Sequence, residues 1–210
     1  MNIAIIGTGN VGSALGKGWA SAGHKIKFGV RDTQKPEVVS LLKEIGPAAS
    51  AASVPDAAKF GEVVVLTTPW PATQAAIQSA GSLAGKIVVD CTNPLKPDLS
   101  GLALGPETSA AEQVAQWAKG ARVVKCFNTT GAGNMANPKY GNDRLVMLLA
   151  GDDAAAKKSV AELSNALGFE TVDAGELQAA RHLESLAMLW IHLALKRGLG
   201  PNFGFKLARR

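Results

Sequence analysis

Three glycines spaced as Gly7-x-Gly9-x-x-Gly12, in the run Gly7-Thr8-Gly9-Asn10-Val11-Gly12, supply the first chemistry the chain offers. A short apolar run, Asn2 to Ile6, precedes them, and Val11, Ala14, Leu15, Gly18, Trp19 and Ala22 follow at helical spacing. In that strand-turn-helix context Gly7 permits a tight turn, Gly9 leaves room for the backbone to approach a diphosphate, and Gly12 lets the helix lie close on the strand. The helix's free N–H groups then face the anion, where the macrodipole also favours negative charge. The pattern predicts a dinucleotide site.

Which dinucleotide is read at the end of the second strand, about 20 residues after the glycines, where an acidic residue bonds the ribose of NAD. Here the corner is Phe28-Gly-Val-Arg31-Asp32-Thr-Gln-Lys35. Arg31 is the first polar residue beyond the strand and Lys35 follows one helical turn later, which suits the 2′-phosphate of NADP. Asp32 is the competing choice, since a slip of two residues sets it on the ribose. With Arg31 and Lys35 in place, Thr8 inside the glycine motif becomes a third expected contact to the 2′-phosphate.

The other candidate residues each follow the carboxyl end of an expected parallel strand, where open α/β sheets bind ligands. They are Thr67, Thr68, Pro69 and Trp70, then Thr92, Asn93 and Pro94, then Asn128 to Ala132. Trp70 fits the crevice or the core equally well. No acid/base machinery accompanies them. Tyr140 is followed at the fourth position by Arg144, so a tyrosine-lysine pair is absent, and no buried Lys-centred or His-Asp group is evident. His24 reads as a junction residue, and His182 and His192 are spaced wrongly for one metal. Cys91 and Cys126 lack a C-x-x-C spacing and read as small core hydrophobes. Such a set suits hydride transfer, in which the cofactor carries the chemistry and the protein positions two ring systems.

The positioning elements alternate. Strands are expected at residues 2–6, 25–28, 63–67, 86–90, 122–127, 145–150 and 169–172. Helices are expected after Gly9, from Pro36 to Ile45, from Pro71 to about Ala80, from a Ser109-x-x-Glu112 capping box, and from Asp152 or Asp153 to Leu167. Residues 47–59 give little beyond a short helix at Pro55 to Ala58, and residues 128–142 read as a long flexible loop. Alternation of this kind predicts an α/β fold, a Rossmann-type doubly wound, mainly parallel sheet. One long helix from Glu176 to about Arg197 is apolar most of the way round, so it must be covered, by the sheet edge, a cofactor or a second subunit; a homodimer contact is favoured. The expected division is residues 1–174 as the NADP-binding domain and 175–210 as a helical extension covering the cleft or a dimer interface.

Composition agrees: 210 residues suffice for one substantial core, and 47% hydrophobic with 19% charged residues is ordinary for a folded domain. The net charge of +5 is spread out without an aromatic-laced basic stripe, which argues against nucleic acid. The apolar runs are strand-sized and a strand begins at residue 2, so neither a membrane span nor a signal peptide is expected and the cytoplasm is the default.

Ile3-Ala-Ile-Ile-Gly-Thr-Gly-Asn-Val-Gly12, Phe28-Gly-Val-Arg31, Val124-Lys-Cys-Phe-Asn-Thr129, Leu149-Ala-Gly-Asp152 and Asp173-Ala-Gly175 with Arg181-x-x-Glu184 resemble the coenzyme F420-dependent NADP oxidoreductase family over almost the whole chain. The resemblance implies reversible hydride exchange between NADP(H) and a deazaflavin, F420, or a flavin-like acceptor, held face to face between the Rossmann core and the C-terminal segment. It also implies that Thr8, Arg31 and Lys35 hold the 2′-phosphate and that the Ala132 backbone meets the nicotinamide amide. Two positions depart from the family pattern. Val30 stands where members often carry serine, and Asn128 where archaeal members can carry histidine. A non-catalytic NADPH-binding redox sensor is the alternative, motivated by the missing acid/base group and the 128–142 loop.

Overall fold

Strands β1 (Asn2–Ile6), β4 (Val63–Leu66) and β5 (Ile87–Asp90) are buried along almost their whole length in the computed structural model, which describes residues 1–210. Unbroken apolar runs of this kind form the centre of a sheet covered on both faces. The sheet has eight strands in the order β3-β2-β1-β4-β5-β6-β9-β10, with β2 Lys25–Gly29, β3 Ala49–Ala52, β6 Arg122–Lys125, β9 Val146–Gly151 and β10 Glu170–Asp173. All neighbours are parallel except β6 and β9, whose antiparallel pairing sets Lys125 opposite Ala150. The first six strands thus carry the 3-2-1-4-5-6 order of a dinucleotide-binding sheet.

Side chains alternate between two cores. Ile3, Ile5, Val63, Val65, Val89 and Val124 face Leu15 and Trp19 of α1 (Asn10–Ser21) and Val160 and Leu163 of α7 (Ala154–Ala166). Ala4, Ile6, Val64, Leu66, Val88 and Val123 face α3 (Val54–Phe60), α4 (Trp70–Ala80), α5 (Ala110–Trp117) and the start of α8 (Ala180–Ile191). Helix α2 (Pro36–Ile45) starts at its proline and ends before Gly46, as its sequence predicts.

Three stretches differ from the sequence expectation. Residues 47–59 hold β3, whose Ala and Ser side chains have little strand propensity and whose pairing comes from β2, and α3, which starts before Pro55 because the Ser53 hydroxyl caps Asp56 N. Residues 128–142 are not one loop but α6 (Ala132–Ala136) and the hairpin β7 (Lys139–Tyr140) and β8 (Asp143–Arg144). Asn134 pins them: its amide donates to Thr130 Oγ1 and the Phe203 carbonyl, and its carbonyl accepts from Tyr140 Oη, all at 2.7 Å. The helix over 176–197 is a 3₁₀ turn (Leu177–Ala179), then α8, then a π turn (His192–Lys196) closed by Arg197 N to the His192 carbonyl. No helix is long and apolar enough to cross a membrane.

Candidate functional site

The glycine turn owes its shape to contacts within the fold. Gly7 has φ of 114°, a conformation that a side chain strains, and a Cβ on Gly12 would run into the Gly7 carbonyl and come within 2.8 Å of Thr67 Oγ1. Thr67, at the end of β4, donates to the carbonyls of Ile6 and Gly7 at 3.0 and 3.2 Å and so buttresses the turn. A Cβ on Gly9 would meet nothing within 4 Å, so the space over it is open. Helix α1 begins there with no side-chain cap and no acidic residue in its first turn, which leaves its N–H groups free for an anion. Thr8 is half-buried, its carbonyl taking the Ser13 hydroxyl; Asn10 is exposed, and Val11 packs on the core.

Gly7 N bonds the Gly29 carbonyl, which ties this turn to the end of β2. Arg31 is exposed there and joins no ion pair; Lys35 is exposed, with Glu37 Oε2 at 3.7 Å. Asp32 Oδ1 accepts from Gln34 N at 2.8 Å and closes its own turn. Beyond β4, Thr68 bonds Thr73 at 3.0 Å and Pro69 caps α4. The Trp70 ring stacks on Trp117 with centroids 5.2 Å apart and packs on the α3–α5 core.

The ends of β5 and β6 are clasped together. Asn93 Nδ2 donates to the Asn128 carbonyl at 2.9 Å, and Asn128 Nδ2 donates to Asn93 Oδ1 at 3.0 Å and to the Leu183 carbonyl of α8 at 3.1 Å. Those two acceptors fix the amide's orientation and leave Asn128 Oδ1, in a residue only 4% exposed, with no partner. Phe127 just before it has φ of 58°, a strained value for a bulky side chain. Pro94 is buried, and Ala132 opens α6, where the Trp190 ring lies flush on Gly131.

Beneath the clasp lies a group that the sequence reading said was absent. Lys125 is fully buried, with Nζ 2.8 Å from Asp90 Oδ2, 2.8 Å from Glu184 Oε1 and 2.6 Å from the Thr92 carbonyl. Its partners lie on other elements, so local sequence gives no sign of them. Burial alone would lower the Lys125 pKa, but Asp90 and Glu184 outweigh it and hold the ammonium above its ordinary range. Burial raises Glu184, against the pull of Lys125. Both thiols are buried; burial raises Cys91 and Cys126 well above the ordinary range, which leaves them inert. His24 lies near the N-terminal ammonium, away from the strand ends, and its pKa is lowered by burial and then by that charge.

Beside the clasp, the loop after β5 and the flank of α8 form an open cleft of about 380 Å³, lined by Leu102, Leu104 and Thr108 from the loop and by Arg181, Glu184, Ser185 and Met188 from α8. A second open hollow of about 690 Å³ continues past Arg181 and His182. Both volumes are in the range of small-molecule sites. Arg181 is held by a two-bond pair with Glu112, at 2.7 and 2.9 Å. The capping box at Ser109 therefore forms only in part: Ser109 Oγ accepts from Glu112 N, but the Glu112 carboxylate turns to Arg181. In the sequence Arg181 and Glu184 stand out only as motif residues, and nothing beside Ser185 and Met188 marks them, because it is the packing of α8 beside the 102–108 loop that brings them together.

Residues 2–94, which carry the glycine turn and the β2, β4 and β5 ends, match the family model described as NADP oxidoreductase, coenzyme F420-dependent. The chain is 32% identical to an F420-dependent NADP reductase of Methanothermobacter thermautotrophicus over 99% of its own length and 94% of the relative's. The chain belongs to the coenzyme F420-dependent NADP oxidoreductase family. A second member, the F420-dependent NADP reductase of Methanocaldococcus jannaschii, is 33% identical with 93% of each chain covered. A solved structure assigned to the F420-dependent NADP reductases, from Arthrobacter sp. FB24, superposes with a TM-score of 0.90 and 35% identity over 100% of both chains. Membership in this oxidoreductase family therefore extends through α8 and the cavity, well past the residues of the family model.

Proposed function

We propose that this chain catalyses reversible hydride transfer between NADP(H) and F420. The diphosphate lies on the Gly7–Gly12 turn at the free end of α1, and Arg31, Lys35 and Thr8 hold the 2′-phosphate. Asp32 is occupied by its own turn, which favours NADP over NAD at this corner. The nicotinamide end rests against Thr68, Pro69, Asn93, Pro94, Asn128 and the Ala132 backbone; the orphan Asn128 Oδ1 is an acceptor suited to a carboxamide N–H. The acceptor ring enters the cavity between the 102–108 loop and α8, with residues 175–210 as the extension that covers it over the 1–174 domain. The observation that carries this reading is the presence of two sites on either side of one clasp: an anion-ready turn with unpaired Arg31, and an open cleft of mixed polar and apolar lining.

NADP(H) and F420 bring the hydride chemistry with them, and the protein's part is to hold the two rings at reacting distance and exclude water. The ion cluster at the ends of β5 and β6 is buried away from solvent and serves as neither acid nor base in this reading, since hydride transfer between the two rings calls for none. Purified protein with NADPH should reduce F420 in preference to FMN or FAD, followed by loss of the deazaflavin's visible absorbance. Turnover of FMN or FAD alone would move the assignment to a flavin acceptor, and no turnover with any of them would refute it. The redox-sensor alternative drew on a flexible 128–142 segment, and the pinned α6 and hairpin offer it no support. A homodimer is part of the proposal, because Leu189, Leu195 and Leu199 near the end of the chain are 48, 63 and 60% exposed.

A further inference from the structure

The charges of Asp90, Lys125 and Glu184 are buried to within 1% of full exclusion from solvent. Such a cluster is a poor source of stability, since desolvation offsets the attraction and apolar residues of equal volume often serve as well. What ions supply and leucines would not is direction. Lys125 donates to the Thr92 carbonyl, while Asp90 Oδ1 accepts from Thr92 N at 2.9 Å and from Thr92 Oγ1 at 2.7 Å. Glu184 accepts from Ala110 N at 3.0 Å and Ala111 N at 3.3 Å, which holds the start of α5. The next residue after Thr92 is Asn93, which clasps Asn128, and Asn128 donates to Leu183, the neighbour of Glu184. The bonds close a ring from Glu184 through Lys125, Thr92, Asn93 and Asn128 back to α8.

We propose that Lys125 is a positioning residue that, through this ring, fixes the Asn93–Asn128 clasp against α8 and so sets the spacing between the nicotinamide end of the dinucleotide site and the acceptor cavity. Lys125 touches neither ring; it acts through Thr92 and Glu184. The inference rests on the hydride-transfer reading given above.

The test is the neutral variant Asp90→Asn/Lys125→Met/Glu184→Gln of the full chain, which keeps side-chain volume and removes every charge. Loss of the ion pairs and of the Lys125 bond to the Thr92 carbonyl should lower its Tm without abolishing folding, and its NADPH Kd should stay within about threefold of wild type. Its kcat for F420 should fall by at least about tenfold, the penalty of misplaced reactants. In the cofactor-free protein the Asn128 side-chain amide resonances should move toward those of a solvated amide. Wild-type kcat, an equal loss in kcat and NADPH affinity, or unchanged amide resonances would each overturn the proposal. Should the triple variant not fold, Asp90→Asn alone, at a residue outside the cleft lining, should show the same split between kcat and Kd to a smaller degree, and wild-type behaviour there overturns it equally. A wild-type protein inert toward every acceptor would refute the hydride-transfer reading instead, with the amide resonances still deciding whether the ring sets the clasp.

Discussion

Arg31 is where cofactor choice becomes measurable at the scale of one residue. Loss of a charge-assisted bond costs about 1.5–3 kcal/mol, so Arg31→Ala should weaken NADPH about 10- to 100-fold and leave NADH nearly unchanged. Fluorescence titration with both nucleotides checks this, and equal weakening would remove the 2′-phosphate from Arg31. Gly12→Ala pushes a methyl group into the Gly7 carbonyl and Thr67, fixed atoms that cannot step aside. It should cost about 1–3 kcal/mol of stability, read by urea denaturation, together with loss of dinucleotide binding. The glycine turn was legible in sequence because its physics is local: φ, close approach and a helix start fall within six residues. Lys125 was not, since its carboxylates arrive from β5 and α8 and nothing beside it in the chain shows them. The clasp is an intermediate case: Asn93 and Asn128 were each picked from their strand ends, but their mutual bonds are visible only in the fold.

Helix α5 shows how elements share their termini. Its N-terminal N–H groups are taken by Ser109 and by Glu184 of α8, while Glu112 is given over to Arg181. The bonds from Arg181 hold the Glu112 pKa below its ordinary value, against the effect of burial. A depressed carboxylate contributes stability above its unfolded pKa and loses it as pH falls through the folded one. Arg181→Ala should therefore flatten the drop in Tm below about pH 4.5 relative to wild type, as well as lower Tm at neutral pH. An identical acid limb in both proteins would show that the pair contributes nothing across α5 and α8. Periodicity recovered the central strands and α1, α2 and α7, where apolar spacing is strong. It missed β3, whose residues are small and whose pairing is imposed by β2, and it joined three kinds of helical turn into one after Glu176. Backbone hydrogen bonding there changes from 3₁₀ to α to π without any break in the apolar pattern.

At the scale of the whole molecule, the glycine turn lies at the carboxyl end of β1 and the Asn93–Asn128 clasp at those of β5 and β6, and α8 bonds the clasp and lines the cleft beside it. Helix α8 is tied to the clasp through Leu183 and to Lys125 through Glu184, while Leu195 and Leu199 are largely exposed. If these leucines form the dimer contact, Leu195→Glu should shift the protein to monomer by light scattering and remove any dependence of Tm on protein concentration, whereas an unchanged mass would place the contact elsewhere. The central claim is direct transfer of hydride between two bound rings. NADPH carrying deuterium at the transferring C4 position, reacted with F420 on the enzyme in ordinary water, tests it by mass spectrometry of the products. Direct transfer puts one deuterium on the reduced deazaflavin and leaves none at C4 of NADP from the transferred position; reduced deazaflavin free of deuterium, or no reduced deazaflavin, would contradict it.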